Sequence, residues 1–163
     1  MSDEKAPVDL AEVLRMAVQD EQTGIAFYRA LVQHSRDPRI RARFRGLAEQ
    51  ESEHLEMFRG MLEEVGSPRP LEEYSGEVQN YIRALRDSRP FPDEEAAVEW
   101  AHRASSDLDA IRMGMRLERE TLLFLQEMRD AVEPPHSEYV DRIIKEERTH
   151  VVELADMLIK LQY

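Results

Sequence analysis

Four stretches of this chain share one spacing, alternating steps of four and three residues, and each carries a glutamate at its middle. The first reads Leu10, Leu14, Ala17, Glu21, Gly24, Tyr28, Leu31; the second reads Phe44, Leu47, Glu51, His54, Phe58, Met61, Val65. The third runs Ile111, Gly114, Glu118, Thr121, Leu125, Met128, Val132; the fourth runs Val140, Ile143, Glu147, His150, Leu154, Met157, Leu161. Such steps keep every member of a set on one face of an α-helix. A chain patterned this way must pack four helical faces together, and four carboxylates and two imidazoles go inside with them.

Punctuation sets the limits of the helices. The first is expected from about 8 to 33, capped by Asp9 and stopped at SRDPR; the second covers 38 to about 65 and ends at GSPRP. The third begins near Ser106, capped there or at Asp107, and ends before EPPHSE; the fourth runs from Ser137 or Glu138 to the C-terminus. Between the second and third lie LEEYSGEVQNYIRALRD and DEEAAVEWAHRA, two shorter helical stretches around SRPFP. Short turns within each pair make the first two helices antiparallel, and likewise the last two. The expected fold is therefore all-α, a four-helix bundle with a long crossover, containing short helices, between helices 2 and 3. It forms a single domain over residues 1–163: a helix pair at 8–65, the crossover at 66–105 and a helix pair at 106–163.

The two halves repeat. Glu21 and Glu118 are 97 residues apart, and Glu51–Glu147 and His54–His150 are each 96 apart. AVQDEQTGIAFYRAL aligns with GMRLERETLLFLQEM, setting Phe27 on Phe124.

Composition narrows the chemistry. With no cysteine, thiolate nucleophiles, disulfides, iron–sulfur clusters and Cys-ligated zinc are excluded, so any metal is held by oxygen and imidazole nitrogen. A net charge of −12 argues against nucleic acid and anionic membranes. The start, MSDEKAPVDL, is polar without an apolar signal core, and no apolar run reaches the ~18 residues of a membrane span. A cytoplasmic protein is the expectation.

A Glu three residues before a His is weak as a motif, because four of the five histidines have one. In EPPH (Glu133, His136) the prolines bar an interior helical pair. EWAH (Glu99, His102) reads as running back from the third helix, with Trp100 and Ala104 on its seam and the Glu–His pair off it. The remaining two pairs lie on the seams themselves. Four ionised glutamates inside a bundle cost on the order of several kcal/mol per ion unless compensated. The seams offer no arginine to do so, whereas two divalent cations balance four carboxylates. Carboxylate-rich sites with one imidazole per ion suit iron or manganese, while structural zinc favours thiolates or more histidine. Two iron ions are expected, with manganese as the alternative. Glu51 and Glu147 bridge, Glu21 and Glu118 are terminal, and His54 joins Glu21 as His150 joins Glu118.

At these residues the chain resembles the ferritin-like di-iron proteins, most closely their rubrerythrin branch. The resemblance rests on Glu21, then Glu51 with His54, then Glu118, then Glu147 with His150, with Phe27–Tyr28 and Glu146–Glu147 adding to it. It implies reduction of H₂O₂ or O₂ coupled to oxidation of ferrous iron. Three departures stand out. The rubredoxin-like domain of rubrerythrins, with its four cysteines, is absent, which makes the electron donor a separate molecule or ferrous iron itself. Thr121 stands where rubrerythrins keep an extra glutamate, and Glu120 points almost opposite. Tyr28 has Leu125 as its mirror; it is either a hydrogen-bonding or redox neighbour of the site, or a core residue with a satisfied hydroxyl.

Other residues read more plainly. Trp100 and Phe91 pin the crossover to the bundle, His34 complements the end of helix one, and the methionines pack. The functional expectation is a peroxidase or ferroxidase acting as a homodimer. The alternatives are iron storage or handling, and a metal-stapled scaffold without turnover.

Overall fold

Each long helix whose start is visible begins where a short polar side chain takes up a free backbone N–H. Asp9 accepts from Ala11 N–H at 3.1 Å, Asp37 from Arg39 N–H at 2.8 Å with Pro38 next to it, and Ser106 from Asp109 N–H at 3.1 Å. The computed structural model describes residues 8–132, 134 and 136–162. Its helices are α1 (Leu10–His34), α2 (Pro38–Val65), α3 (Gly76–Asp87), α4 (Glu94–His102), α5 (Asp107–Ala131) and α6 (His136–Gln162), with a 3₁₀ turn at Leu71–Glu73. Gly66, at φ 90°, ends α2 in a conformation that a side chain would strain.

Helices α1 and α2 lie along one another, as do α5 and α6; α1 also meets α5 and α2 meets α6, which closes the bundle. The crossover is not passive, since α4 packs along α1 and α3 buries Val78, Ile82 and Leu85. This is the four-helix bundle with a helical crossover expected from the seams, and the ferritin-like architecture that the resemblance implies. Two details differ. EWAH does not run back from α5: α4 ends at His102, and α5 starts afresh behind the Ser106 cap. Leu161, placed on the fourth seam, is 37% exposed in the last turn of α6. Tyr163 and Glu133 of EPPH lie outside the described residues, as does the polar start at 1–7.

The core is divided. One apolar cluster holds Leu14, Phe58, Leu125, Met128, Val140 and Ile143; the other holds Tyr28, Leu31, Phe44, Leu47, Ile111 and Leu154. Along every long helix the change from one cluster to the other falls at its seam glutamate. The result is an acidic layer held between two apolar ones. Among the described residues, no helix is long and apolar enough to cross a membrane.

Candidate metal centre

The residues of that middle layer are almost wholly enclosed. Glu147 and His150 are 0% exposed, Glu118 1%, His54 2%, and Glu21 and Glu51 4% each. They form two groups that share two members: Glu21, Glu51, His54 and Glu147, and Glu51, Glu118, Glu147 and His150. The six residues picked out on the seams are thus brought together, with His54 grouped with Glu21 and His150 with Glu118. Glu51 places Oε2 3.3 Å from His54 Nδ1 and Oε1 3.6 Å from His150 Nδ1. Glu147 does the same, with Oε1 2.6 Å from His54 Nδ1 and Oε2 3.2 Å from His150 Nδ1. Glu21 and Glu118 each approach one histidine, at 3.9 and 3.6 Å. Donors about 2.1 Å from an ion and at right angles to one another sit roughly 3 Å apart, so these spacings suit a shared ion.

Orientation is as informative as distance. Glu51 Oε2, Glu118 Oε2, both oxygens of Glu147 and the Nδ1 atoms of both histidines are buried without an aligned hydrogen bond. They crowd around common points without a well-directed hydrogen bond to one another. Such unsatisfied groups are costly in a dry interior unless something else receives their lone pairs. The donor set of oxygens and one imidazole per group fits an iron or manganese ion in each.

The outer nitrogens are accounted for. His54 Nε2 lies 2.8 Å from Glu146 Oε2, and His150 Nε2 lies 2.9 Å from Gln50 Oε1. Each Nε2–H therefore donates outward and leaves Nδ1 facing the cluster, the usual way a ligand imidazole is oriented. The two supports are repeat-related and exchanged between halves: Gln50 of α2 holds the α6 histidine, and Glu146 of α6 holds the α2 histidine. Gln50 escaped the sequence reading. Its only signal was its place 96 residues before Glu146, itself noted only as part of EE. Tyr28, fully buried, donates its hydroxyl proton to Glu118 Oε1, so it is a hydrogen-bonding neighbour of the site.

Other buried carboxylates show what a structural solution looks like here. Glu12 pairs with Arg86 at 2.6 Å and accepts an aligned hydrogen bond from it, and Asp20 pairs with Arg89 at 3.1 Å by charge, its oxygens also lacking an aligned hydrogen bond. Both arginines come from the crossover, not from the seams, which is why the sequence reading saw no arginine in the interior. Among the described residues, none of the four seam glutamates pairs with a lysine or arginine. The EWAH pair lies apart from the cluster: Glu99 and His102 are exposed, and His102 lies beside His34, ring centres 6.0 Å apart.

Without metal the layer holds protons instead. Burial, then the charges of Glu51 and Glu147, pushes Glu21 well above the ordinary carboxylate range; burial and Glu51 do the same to Glu118. Burial works against charge on the histidines, but the carboxylates around them prevail and raise His54 to about 10 and His150 to about 11. Burial would likewise raise Glu147, yet its two imidazole neighbours bring it down to about 2. The layer binds positive charge where each Nδ1 points.

The comparisons with known proteins agree with this geometry. A family model described as Rubrerythrin matches residues 12–158. The chain is similar to a solved structure, the crystal structure of a DUF305 fragment from Deinococcus radiodurans, with a TM-score of 0.60 over 94% of this chain and 99% of that one. At 18% identity that likeness carries the fold alone. None of the curated proteins matches. The family match spans all six converging residues, from before Glu21 to beyond His150: the chain belongs to the rubrerythrin family and carries its di-iron type of centre.

Proposed function

We propose that the chain, folding as one domain, reduces H₂O₂ or O₂ at two iron ions held by Glu21, Glu51, His54, Glu118, Glu147 and His150. One observation carries the ligand assignment: Glu51 and Glu147 each direct one oxygen toward His54 and the other toward His150. That is the disposition of a bridging carboxylate. When bound, two ferrous ions supply the two electrons that convert a peroxide to two waters. The chain's part is to hold charge, shape and protons. Glu21 and Glu118 each lie by one histidine and act as terminal donors. Glu146 and Gln50 fix the imidazoles with Nδ1 inward. Tyr28 holds its hydroxyl proton on Glu118 Oε1, where it keeps that oxygen directed. The apolar layers above and below exclude bulk water, which strengthens every charge interaction between them.

These 163 residues contain no cysteine for an iron–sulfur donor site, so electrons come from outside this domain or from ferrous iron itself. We place the protein in the cytoplasm as a homodimer. Val152 and Ile159, 68% and 59% exposed and one heptad apart on α6, offer an apolar strip for a second copy.

Metal analysis and stopped-flow mixing test the proposal. Two iron ions per chain and repeated peroxide consumption with an added reductant are the expected results. Iron accumulating far beyond two per chain would establish storage instead, and a ferrous protein inert to both oxidants would leave only a scaffold. Glu147→Ala should lose iron, and the metal-free bundle should lose stability with it, because two buried imidazoles lose the carboxylate that holds them charged. Two ions bound with unchanged affinity in that variant would overturn the bridging role.

A further inference from the structure

Tyr28 leads away from the cluster as well as into it. Its ring meets Phe27 edge-on, centres 5.1 Å apart, and Phe27 in turn meets Trp100 of α4 at 5.3 Å. Phe91, from the segment before α4, closes the group at 5.2 Å from Trp100 and 5.9 Å from Phe27. Phe27 and Tyr28 are 0% exposed, whereas Trp100 is only half-buried. It lines a surface recess of about 270 Å³ together with Phe91, Pro90, Pro92, Arg103 and Arg116. An unbroken set of aromatic rings therefore joins an oxygen of Glu118 to solvent.

The other half of the repeat lacks this arrangement. There Phe124 replaces Phe27 and sits under the guanidinium of Arg89 at 3.7 Å, and Leu125 replaces Tyr28. A bundle that needed only packing had an aliphatic solution available at the equivalent position and used it. Phenol and indole are also the two side chains here that give up one electron most readily, and they stand at the two ends of the set with a single ring between them.

We propose that Tyr28, Phe27 and Trp100 form a relay that passes single electrons from a one-electron reductant at the recess to the buried cluster. The step balances. Tyr28 gives one electron inward and its phenolic proton to Glu118. The resulting phenoxyl takes one electron from the Trp100 indole across Phe27 and recovers its proton from Glu118. The oxidised indole is then reduced by the external donor, so the donor loses one electron and the cluster gains one. Phe27 is a positioning residue that fixes the gap. The purpose of the relay rests on the redox function proposed above, but its existence does not.

The full chain can be tested with and without iron. Trp100 is the only tryptophan, so an indolyl radical made by azidyl radicals in pulse radiolysis is assigned without ambiguity. In the metal-free protein, its absorption should decay as a phenoxyl absorption grows, at a rate independent of protein concentration. Tyr28→Phe should abolish that growth, and Phe27→Leu should slow it. Tyr81→Phe and Tyr139→Phe, at exposed positions, should leave it unchanged. Near-ultraviolet circular dichroism and Trp100 emission establish that each variant is folded. Wild-type conversion in folded Tyr28→Phe, or conversion abolished by an exposed-tyrosine change, would overturn the relay. Transfer that runs through Tyr28 in a protein failing to bind iron would sink the functional proposal while leaving the relay standing. Iron loading with peroxide turnover but no transfer would do the reverse.

Discussion

Glu146 and Gln50 occupy equivalent places in the two halves, yet one is a carboxylate and the other an amide. A charged acceptor makes the imidazole it holds more electron-rich than a neutral one does, so the His54 side should bind its ion more tightly. Titration calorimetry with ferrous ion should resolve two unequal steps, and Glu146→Gln should weaken the tighter one by roughly 10–100-fold. Two equal steps in the parent protein would refute this. A second residue with a specific spatial role is Gly114. A Cβ there would stand 3.3 Å from Leu154 Cδ2 and 3.4 Å from both Cε1 and the hydroxyl of Tyr28. Gly114→Ala adds about 1 kcal/mol of helix propensity against about 1–3 kcal/mol of overpacking. A net loss of up to about 2 kcal/mol in urea unfolding is expected, with Tyr28 displaced from Glu118. The six converging seam positions were legible from spacing because burial of a charged residue on an apolar seam is improbable without a partner. Gln50 was not, since an amide beside a seam has no such signature, and Asp20 only makes sense once Arg89 arrives from a distant turn.

At the level of elements, α1, α2, α5 and α6 could be bounded to within about a turn because their caps are local chemistry. The start of α5 was legible from its Ser106 cap, but EWAH was run back from α5 across that cap because both flanks have helical pattern. One contact ties these elements together. Asp107, at the start of α5, accepts from Ser35 hydroxyl at 2.8 Å, from Arg36 N–H at 3.2 Å and from Asp37 N–H at 2.9 Å. A carboxylate on the opening turn of one helix thereby closes the turn between two others and sets α1 and α2 against α5. Asp107→Ala strands those donors and should cost about 1–3 kcal/mol, read as a lower urea midpoint at unchanged slope. An unchanged midpoint would mean that water replaces the carboxylate fully. This link, too, was invisible in the sequence, where Asp107 looked like only an alternative cap for its own helix.

For the whole molecule, the protons of the middle layer govern how stability follows pH. Burial, against the pull of Arg89, raises Asp20 from 3.8 to about 7, and Glu21 and Glu118 are raised as well. Groups whose folded pKa is raised favour the fold while protonated, and that contribution fades as pH climbs from the unfolded value through the folded one. His54 and His150 lose theirs as pH climbs from 6.5 to about 10 and about 11, and Glu147 loses its own as pH falls from 4.5 to about 2. Metal-free protein should therefore become less stable between pH ~5 and ~8, while iron, which displaces the same protons, stabilises more as pH rises. Melting curves of both forms across that range check the opposite slopes; parallel slopes would show that the layer takes up no protons. The exchanged supports carry a last consequence. Each histidine draws its outer partner from the opposite helix pair, and both groups use Glu51 from one pair and Glu147 from the other. Neither hairpin can complete even one ion's surroundings alone. Two separately expressed fragments, cut within residues 66–75, would be a chelator-sensitive heterodimer, and a single hairpin duplicated in sequence would have the same site available by self-association. Ions held at these residues would therefore fasten the two hairpins to one another, beside the apolar clusters the hairpins already share.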